Sequence, residues 1–464
     1  MEPRRRDKRA DLLSPTGAET GRAIVIEPWL KQAASRPGSA AVNMRTPEAR
    51  LAEASGLARA IDLNVVQQGL VMLSTIRPAT YIGKGKVDEI AGLVKSLSAS
   101  IVVMDCPISP VQQRNLEKAW GTKVIDRTGL ILEIFGRRAR TREGALQVEH
   151  AHLTYQKSRL VRSWTHLERQ RGGFGFLGGP GETQLEADRR MIDERLAKIE
   201  SELATVKRTR ALHRVSRRRV PYPIVALVGY TNAGKSTLFN CMTHASVLSA
   251  DMLFATLDPT LRAVALPHGA RIILSDTVGF ISDLPTMLIA AFRATLEEVV
   301  EADVILHVRD VSHEDAEAQL HDVEKILHEL GIEPRDEVND KRSLIEVWNK
   351  IDRLDNAARE RLVNIAERRA PADRPVLVSA TTGEGAETLA KVIETRLAAG
   401  REVIELRLDP ADGAGVSWLH RHTEVLHKSI DENGIIAMTV RADPDKAARL
   451  RARFSIAPVV TRGH

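Results

Sequence analysis

The stretch Ile224-Val225-Ala226-Leu227-Val228-Gly229-Tyr230-Thr231-Asn232-Ala233-Gly234-Lys235-Ser236-Thr237 decides the fold. The apolar run from Ile224 to Val228 predicts a buried strand. Gly229 to Ser236 then matches GxxxxGK[ST], a loop whose glycines let the backbone wrap closely enough for its N–H groups to surround phosphates. In that reading Gly229, Tyr230, Thr231, Asn232, Ala233 and Gly234 form the cradle. Lys235 places a cation on the β and γ groups, and the Ser236 hydroxyl ligates Mg2+. Thr237 and the residues after it continue a helix whose positive end faces the phosphates.

The loop alone does not choose between adenine and guanine. Asn349-Lys350-Ile351-Asp352, at the end of another apolar strand, predicts guanine, because an aspartate carboxylate can accept both the base N1–H and its exocyclic amine. Lys350 would lay its stem over the base, and Ser379-Ala380 would offer a backbone donor to the guanine oxygen. Between these strings, Asp276-Thr277-Val278-Gly279 closes a strand; Asp276 would hold Mg2+ through water and the Gly279 N–H would meet the γ-phosphate, forming a second switch. Phe254-Ala255-Thr256-Leu257-Asp258 supplies the first switch, with Thr256 chosen over Thr260 as the ligand of Mg2+ and γ-phosphate. Lys235, Thr256 and Gly279 are thus the catalytic candidates. Phe280 stands where many small GTPases carry a water-orienting glutamine, which predicts slow intrinsic hydrolysis. Asn232 is a candidate ligand for K+ near the phosphates, and reads equally well as a loop-capping asparagine.

Further out, strands are predicted at Ala23–Ile26, Val65–Leu73, Ser100–Met104 and Lys123–Ile125, and helices at Pro47–Ile61, Lys86–Ser96 and Val111–Trp120. That alternation implies a small α/β domain with a parallel sheet. Gly144–Arg169 reads as a helix, and Arg171–Gly181 is so rich in glycine that it reads as a loop or hinge. Leu185, Ile192, Leu196, Ile199, Leu203 and Val206 then mark the stripe of a long helix, making a hairpin with its predecessor. Arg171, Lys207, Arg208, Arg210, Arg214, Arg217, Arg218 and Arg219 are candidate RNA phosphate contacts, although a cationic helix end also suits the helix dipole. After about Gly400 the pattern reads strand, helix, strand, helix. The expected architecture is α/β: a basic flexible tail (1–21), an N-terminal α/β domain (22–140), a helical hairpin (141–220), a P-loop G domain on a mostly parallel sheet (221–400) and a small C-terminal α+β domain (401–464).

A chain of 464 residues is too long for one ordinary core, and its 4% aromatic content leaves little for base stacking, so a net charge of +6 would have to carry any RNA contact. Two cysteines without framework spacing suit the cytoplasm, and no run is apolar enough for a membrane span. Nothing demands more than a monomer.

Beyond the general nucleotide motifs, YIGKGKVDEI (81–90), SPVQQRNLE (109–117), IDRTGLILEIF (125–135), GGPGETQLEADRR (178–190), FATLDPT (254–260) and DTVGFISDLP (276–285) resemble the HflX family of translation-associated GTPases. The resemblance implies GTP hydrolysis, binding to the large ribosomal subunit, splitting of stalled or idle ribosomes notably under heat stress, and peripheral association with ribosomes or membrane. It also implies Phe at the position of Phe280. A second nucleotide site proposed for the family would fall near Gly83-Lys84-Gly85-Lys86, which a turn into a helix explains more simply. Two other readings stand beside it: an ATP-driven RNA remodelling enzyme with a regulatory G domain, and a signalling GTPase that binds only proteins.

Overall fold

The computed structural model describes residues 21–31, 45–170, 180–217, 222–244, 253–254, 256–285, 296, 298–332, 343–398, 402–430, 434–442 and 444–454. Near the N-terminus β1 (Arg22–Leu30), β2 (Asn64–Leu73), β3 (Ile101–Met104) and β4 (Lys123–Asp126) form a parallel sheet in the order β2-β1-β3-β4. Helices α1 (Pro47–Arg59), α2 (Lys84–Ser96), α3 (Pro110–Trp120) and α4 (Arg127–Arg138) connect and extend it. Local chemistry sets their ends. Ser109 and Gln112 form a capping box at α3, Pro110 occupies its first turn and Gly121 ends it in the left-handed region at φ 66°. The GKGK segment supplies the Gly83 N-cap and first turn of α2, with Lys86 paired to Glu89 at 2.7 Å.

The two faces of this sheet have different fates. Ile24, Val102, Met104 and Val124 pack with Val87, Ile90, Leu116 and Trp120, closing a local core. Val25, Val103 and Ile125 pack with Leu57, Leu130 and Phe135 in a core that continues through Phe254, Phe280 and Ile281 to Val228 of the central strand of the next sheet. The N-terminal unit and the nucleotide-binding unit therefore share one hydrophobic core.

Between them lie α5 (Arg142–Gln170) and α6 (Pro180–Arg217). Pairing of Arg195 with Glu149 at 2.7 Å and of His150 with Glu200 at 3.2 Å fixes them as antiparallel neighbours. Ile199 of the expected stripe is fully buried, with Ile192, Leu196, Leu203 and Val206 half-buried around it. The glycine-rich segment ends earlier than expected, because Pro180 and Gly181 already belong to α6; proline suits a first helical turn, where no partner is needed for the missing N–H. Residues 171–179 lie outside the described residues.

The second sheet has the order β10-β9-β8-β5-β7-β6, from β5 (Ile224–Gly229), β6 (Thr260–Ala265), β7 (Arg271–Asp276), β8 (Val304–Asp310), β9 (Ser343–Asn349) and β10 (Val376–Leu377). It is parallel except for edge strand β6. Helix α7 (Lys235–Thr243) follows the phosphate loop. The C-terminal segment has one strand more than the sequence pattern suggested. β11 (Glu402–Leu408), β12 (Glu424–Ile430) and β13 (Ile436–Ala442) form an antiparallel sheet with helices Gly413–His422 and Pro444–Phe454. β12 ends at Ile430 and β13 begins at Ile436, and Gly434 between them has a φ of 82° that few other residues adopt.

Candidate guanine-nucleotide site

The phosphate loop joins the end of β5 to α7, and two glycines make its path possible. Gly229 has φ 149° and a Cβ there would lie 2.2 Å from the Val308 carbonyl oxygen; Gly234 has φ 92° and its Cβ would lie 2.2 Å from Asn349 Nδ2. The Lys235 ammonium is buried and donates to the carbonyls of Gly229 and Tyr230 at 3.1 and 2.8 Å. Burial lowers its pKa to about 8, Asp276 opposing and Lys350 adding to the effect. Gly279 approaches from the second switch so closely that a Cβ would be 2.9 Å from Thr231 Cα and 3.1 Å from Lys235 Nζ.

Three oxygen donors from separate elements converge beside Lys235. Ser236 Oγ donates to Asp276 Oδ2 at 2.7 Å, Thr256 Oγ1 donates to the same oxygen at 3.0 Å, and the two hydroxyls lie 2.8 Å apart. The other oxygen, Asp276 Oδ1, is buried with no partner. A carboxylate and two hydroxyls, one carboxylate oxygen orphaned, fit a hard divalent cation such as Mg2+. Burial raises the Asp276 pKa, a cost that a cation would offset.

At the base end, the Asn349 side chain ties the strings together: its Nδ2 donates to Ala233 O at 2.8 Å and its Oδ1 accepts the Ala380 N–H at 3.0 Å. Lys350, at φ 66°, pairs with Asp310 at 2.8 Å. Asp352 is exposed, and its Oδ1 accepts the Ser379 hydroxyl at 2.6 Å, leaving Oδ2 for a ligand. Ile351, Leu257 and Val278 face the core, and the Thr277 hydroxyl donates to the Leu227 carbonyl at 2.5 Å. Thr237 lies on α7. Asn232, at φ 61°, is exposed on a cavity of 610 Å³ between the loop and α1. Ala255 lies outside the described residues.

Phe280 turns away from the phosphates. Its side chain is 1% exposed in the shared core, while its backbone closes a bridge on the phosphate loop: Thr231 N–H donates to Phe280 O at 2.7 Å and Phe280 N–H to Gly229 O at 3.1 Å. Of the basic candidates, Lys207, Arg208, Arg210, Arg214 and Arg217 lie on α6, with Arg208 exposed; Arg171, Arg218 and Arg219 lie outside the described residues.

The sequence reading missed a charged network joining the N-terminal unit to the loop and the second switch. Glu53 of α1 accepts Arg127 Nη2 at 2.6 Å and the Ser282 hydroxyl at 3.0 Å on one oxygen, and Arg45 Nη1 at 3.0 Å and the Tyr230 hydroxyl on the other. The Tyr230 hydroxyl also accepts the Ser282 N–H at 2.9 Å. Arg127 continues to Asp105 at 2.7 Å, and Arg45 to Asp322 at 2.8 Å. Burial alone would raise the Glu53 pKa, yet Arg127 and Arg45 outweigh it and hold the carboxyl below its ordinary range. Arg127 of the IDRTG string, Ser282 of the DTVGFISDLP string and Tyr230 of the phosphate loop lie in motifs quoted above, but nothing in those motifs pointed to Glu53.

A phosphate loop, two switch segments and an Asn-Lys-x-Asp loop, set at one end of a mostly parallel sheet, define a P-loop GTPase, which binds and hydrolyses GTP. Consecutive segments match families described as GTP-binding GTPase N-terminal (48–136), GTP-binding GTPase Middle Region (138–217), 50S ribosome-binding GTPase (224–350) and HflX C-terminal domain (364–462). The chain is 52% identical to GTPase HflX of Magnetococcus marinus, over 78% of this chain and 81% of the relative. It is 45% identical to GTPase HflX of Escherichia coli, over 78% and 83%. A GTP-binding protein from Sulfolobus solfataricus, solved with GDP, aligns at 22% identity over 82% of this chain and 99% of that one, with a TM-score of 0.42. The chain belongs to the HflX family of GTPases. Among the described residues, no helix is long and apolar enough to cross a membrane.

Proposed function

We propose that this GTPase binds the large ribosomal subunit and the 70S ribosome, and uses its GTP state to split or rescue stalled or idle ribosomes under stress. The match of residues 224–350 to a family described as 50S ribosome-binding GTPase carries the partner. The shared core and the Glu53 network support the coupling, because both switch segments pack on the N-terminal unit and so cannot move without it. In the nucleotide site, Lys235 holds the β- and γ-phosphates, the Gly279 N–H meets the γ-phosphate, and Asp352 reads guanine. Ser236, Thr256 and Asp276 would hold Mg2+, the two hydroxyls directly and the carboxylate through water, and the cation would offset charge on the transferring phosphoryl group. Asn232 is the candidate for a K+ ligand at the same phosphates. The basic end of α6 grips rRNA phosphates, and the protein works as a monomer in the cytoplasm.

GTP turnover measured alone and with purified large subunits tests this. The expected result is strong stimulation of the wild type, with Asp352→Asn losing its preference for GTP in both conditions. Turnover indifferent to subunits, with 70S particles intact on a sucrose gradient, would move the function to a switch that binds only proteins.

A further inference from the structure

Asp258, two residues beyond Thr256, points away from the nucleotide site. Its Oδ2 accepts the backbone N–H groups of Arg140 and Thr141 at 2.8 and 2.9 Å, and its Oδ1 accepts the Thr141 hydroxyl at 2.6 Å. Thr141 Oγ1 in turn accepts the Gly144 N–H at 3.0 Å, capping the first turn of α5. The first switch thus ends on the positive end of a 29-residue helix, where an anion is favoured.

The neighbouring residues are shaped around this contact. A Cβ on Gly144 would lie 2.5 Å from Asp258 Oδ1, so glycine there leaves the carboxylate its place. Earlier in the switch, Phe254 meets Phe135 of α4 edge-on at 4.7 Å, and Leu253 lies 3.1 Å from where a Cβ on Gly56 would stand. The switch is therefore held on both sides of Thr256. Two residues of extended chain span at most about 7 Å, so Thr256 stays within that reach of the Asp258 anchor unless α5 moves or Asp258 lets go.

We propose that Asp258 is a positioning residue for GTP hydrolysis: clamped on Thr141 at the start of α5, it keeps Thr256 beside Ser236 and Asp276, and so makes the hydrolysis rate depend on how the helical hairpin is seated. This deepens the proposed function and rests on its reading of Thr256. The link runs both ways: release of Thr256 after hydrolysis pulls on the first turn of α5, and a partner that shifts the hairpin shifts Thr256.

Gly144→Ala in the full chain is the decisive variant. Its added methyl would lie 2.5 Å from Asp258 Oδ1 and 3.0 Å from Thr141 Oγ1, so it crowds both side chains of the clamp without meeting backbone, while alanine itself favours the helix over glycine. Single-turnover GTP hydrolysis, affinities for fluorescent GDP and a non-hydrolysable GTP analogue, and the thermal midpoint would be measured. Misplacing a positioned group by about 1 Å can cost up to ~100-fold, and a partial displacement is expected to slow the single-turnover rate about tenfold. GDP affinity should be unchanged, and the thermal midpoint reports any loss at the start of α5. Thr141→Val should behave in the same way on rate, and Thr141→Ser should restore the wild-type value. Wild-type rates in both Gly144→Ala and Thr141→Val would overturn the clamp. Thr256→Ala separates the two levels: if it is impaired while the clamp variants are normal, only the clamp fails, and if it too is normal, the assignment of Thr256 fails and the clamp with it.

Discussion

Replacing Glu53 by glutamine should loosen the N-terminal unit from the phosphate loop without unfolding the nucleotide-binding sheet. The Glu53 side chain is 11% exposed and accepts four hydrogen bonds, two of them from arginines. Glutamine keeps the volume, removes the charge, and turns one acceptor into a donor facing other donors. Breaking a buried ion pair from one side costs roughly 3–5 kcal/mol. Arg127 retains Asp105 and Arg45 retains Asp322, which places the expected loss at the lower end, about 3 kcal/mol, or roughly two powers of ten in the ratio of docked to undocked molecules. A chain with several units does not unfold in one step, so the readout should be local. Hydrogen exchange followed by mass spectrometry should show protection falling about a hundredfold in peptides covering Pro47–Arg59 and Phe280–Asp283, with β9 unchanged. The pH dependence has a definite sign. The folded pKa of Glu53 lies below its ordinary value, so its contribution is complete above that value and is lost as pH falls through the folded pKa; wild type and variant should converge in acid. Unchanged protection at neutral pH, or an equal loss in β9, would refute the reasoning.

Three other outcomes follow from buried groups. Since Lys235 has a pKa near 8 without phosphates and phosphates favour its charged form, GDP binding should take up a proton above pH 8; affinity should be flat near pH 7 and weaken by up to about tenfold per unit above 8, which calorimetry in buffers of different ionisation enthalpy can read. Phe280→Gln should not create a faster enzyme, because position 280 is 1% exposed in the shared core; turnover should fail to rise and local stability around the second switch should fall by about 3 kcal/mol, read by hydrogen exchange. Burial, and then the Asp105 carboxyl, push Glu27 up to about 9, with Arg50 opposing. A raised carboxyl contributes fully below its unfolded pKa and loses stability as pH rises toward 9, so Glu27→Gln should flatten the fall in thermal midpoint between pH 5 and 9.

What the sequence disclosed was whatever is local or tied to a ligand. The phosphate loop, the Asn349–Asp352 string and Asp276–Gly279 are short runs whose residue types answer to phosphate, base and cation, and their strands flank them as apolar runs. The hairpin was legible because a helix must show its buried face at regular spacing, and Ile192 to Val206 do so. The Glu53 network had no such signature: Arg45 and Tyr230 are 185 residues apart, and a charged residue on α1 reads as solvated surface until a partner covers it. The extra C-terminal strand was missed for a related reason, because two short runs paired antiparallel look like one until the break between them is recognised.

The same distinction explains why the variable positions of the phosphate loop matter. Glycines, lysine and serine are required by phosphates in any such loop, but Tyr230 to Ala233 are left free by that requirement, and here three of the four reach other parts of the chain. Tyr230 meets Glu53 and Ser282, Thr231 takes the Phe280 carbonyl, Asn232 faces the cavity beside α1, and Ala233 accepts Asn349 from the base-reading loop. The phosphate end of the nucleotide is therefore wired by single hydrogen bonds to the N-terminal unit, the second switch and the guanine site. With Asp258 carrying the first switch to α5, a change in one phosphate group has short mechanical routes to both the sheet and the hairpin that precede the G domain. A glutamine at position 280 would serve the water alone; phenylalanine instead packs the second switch into that shared core.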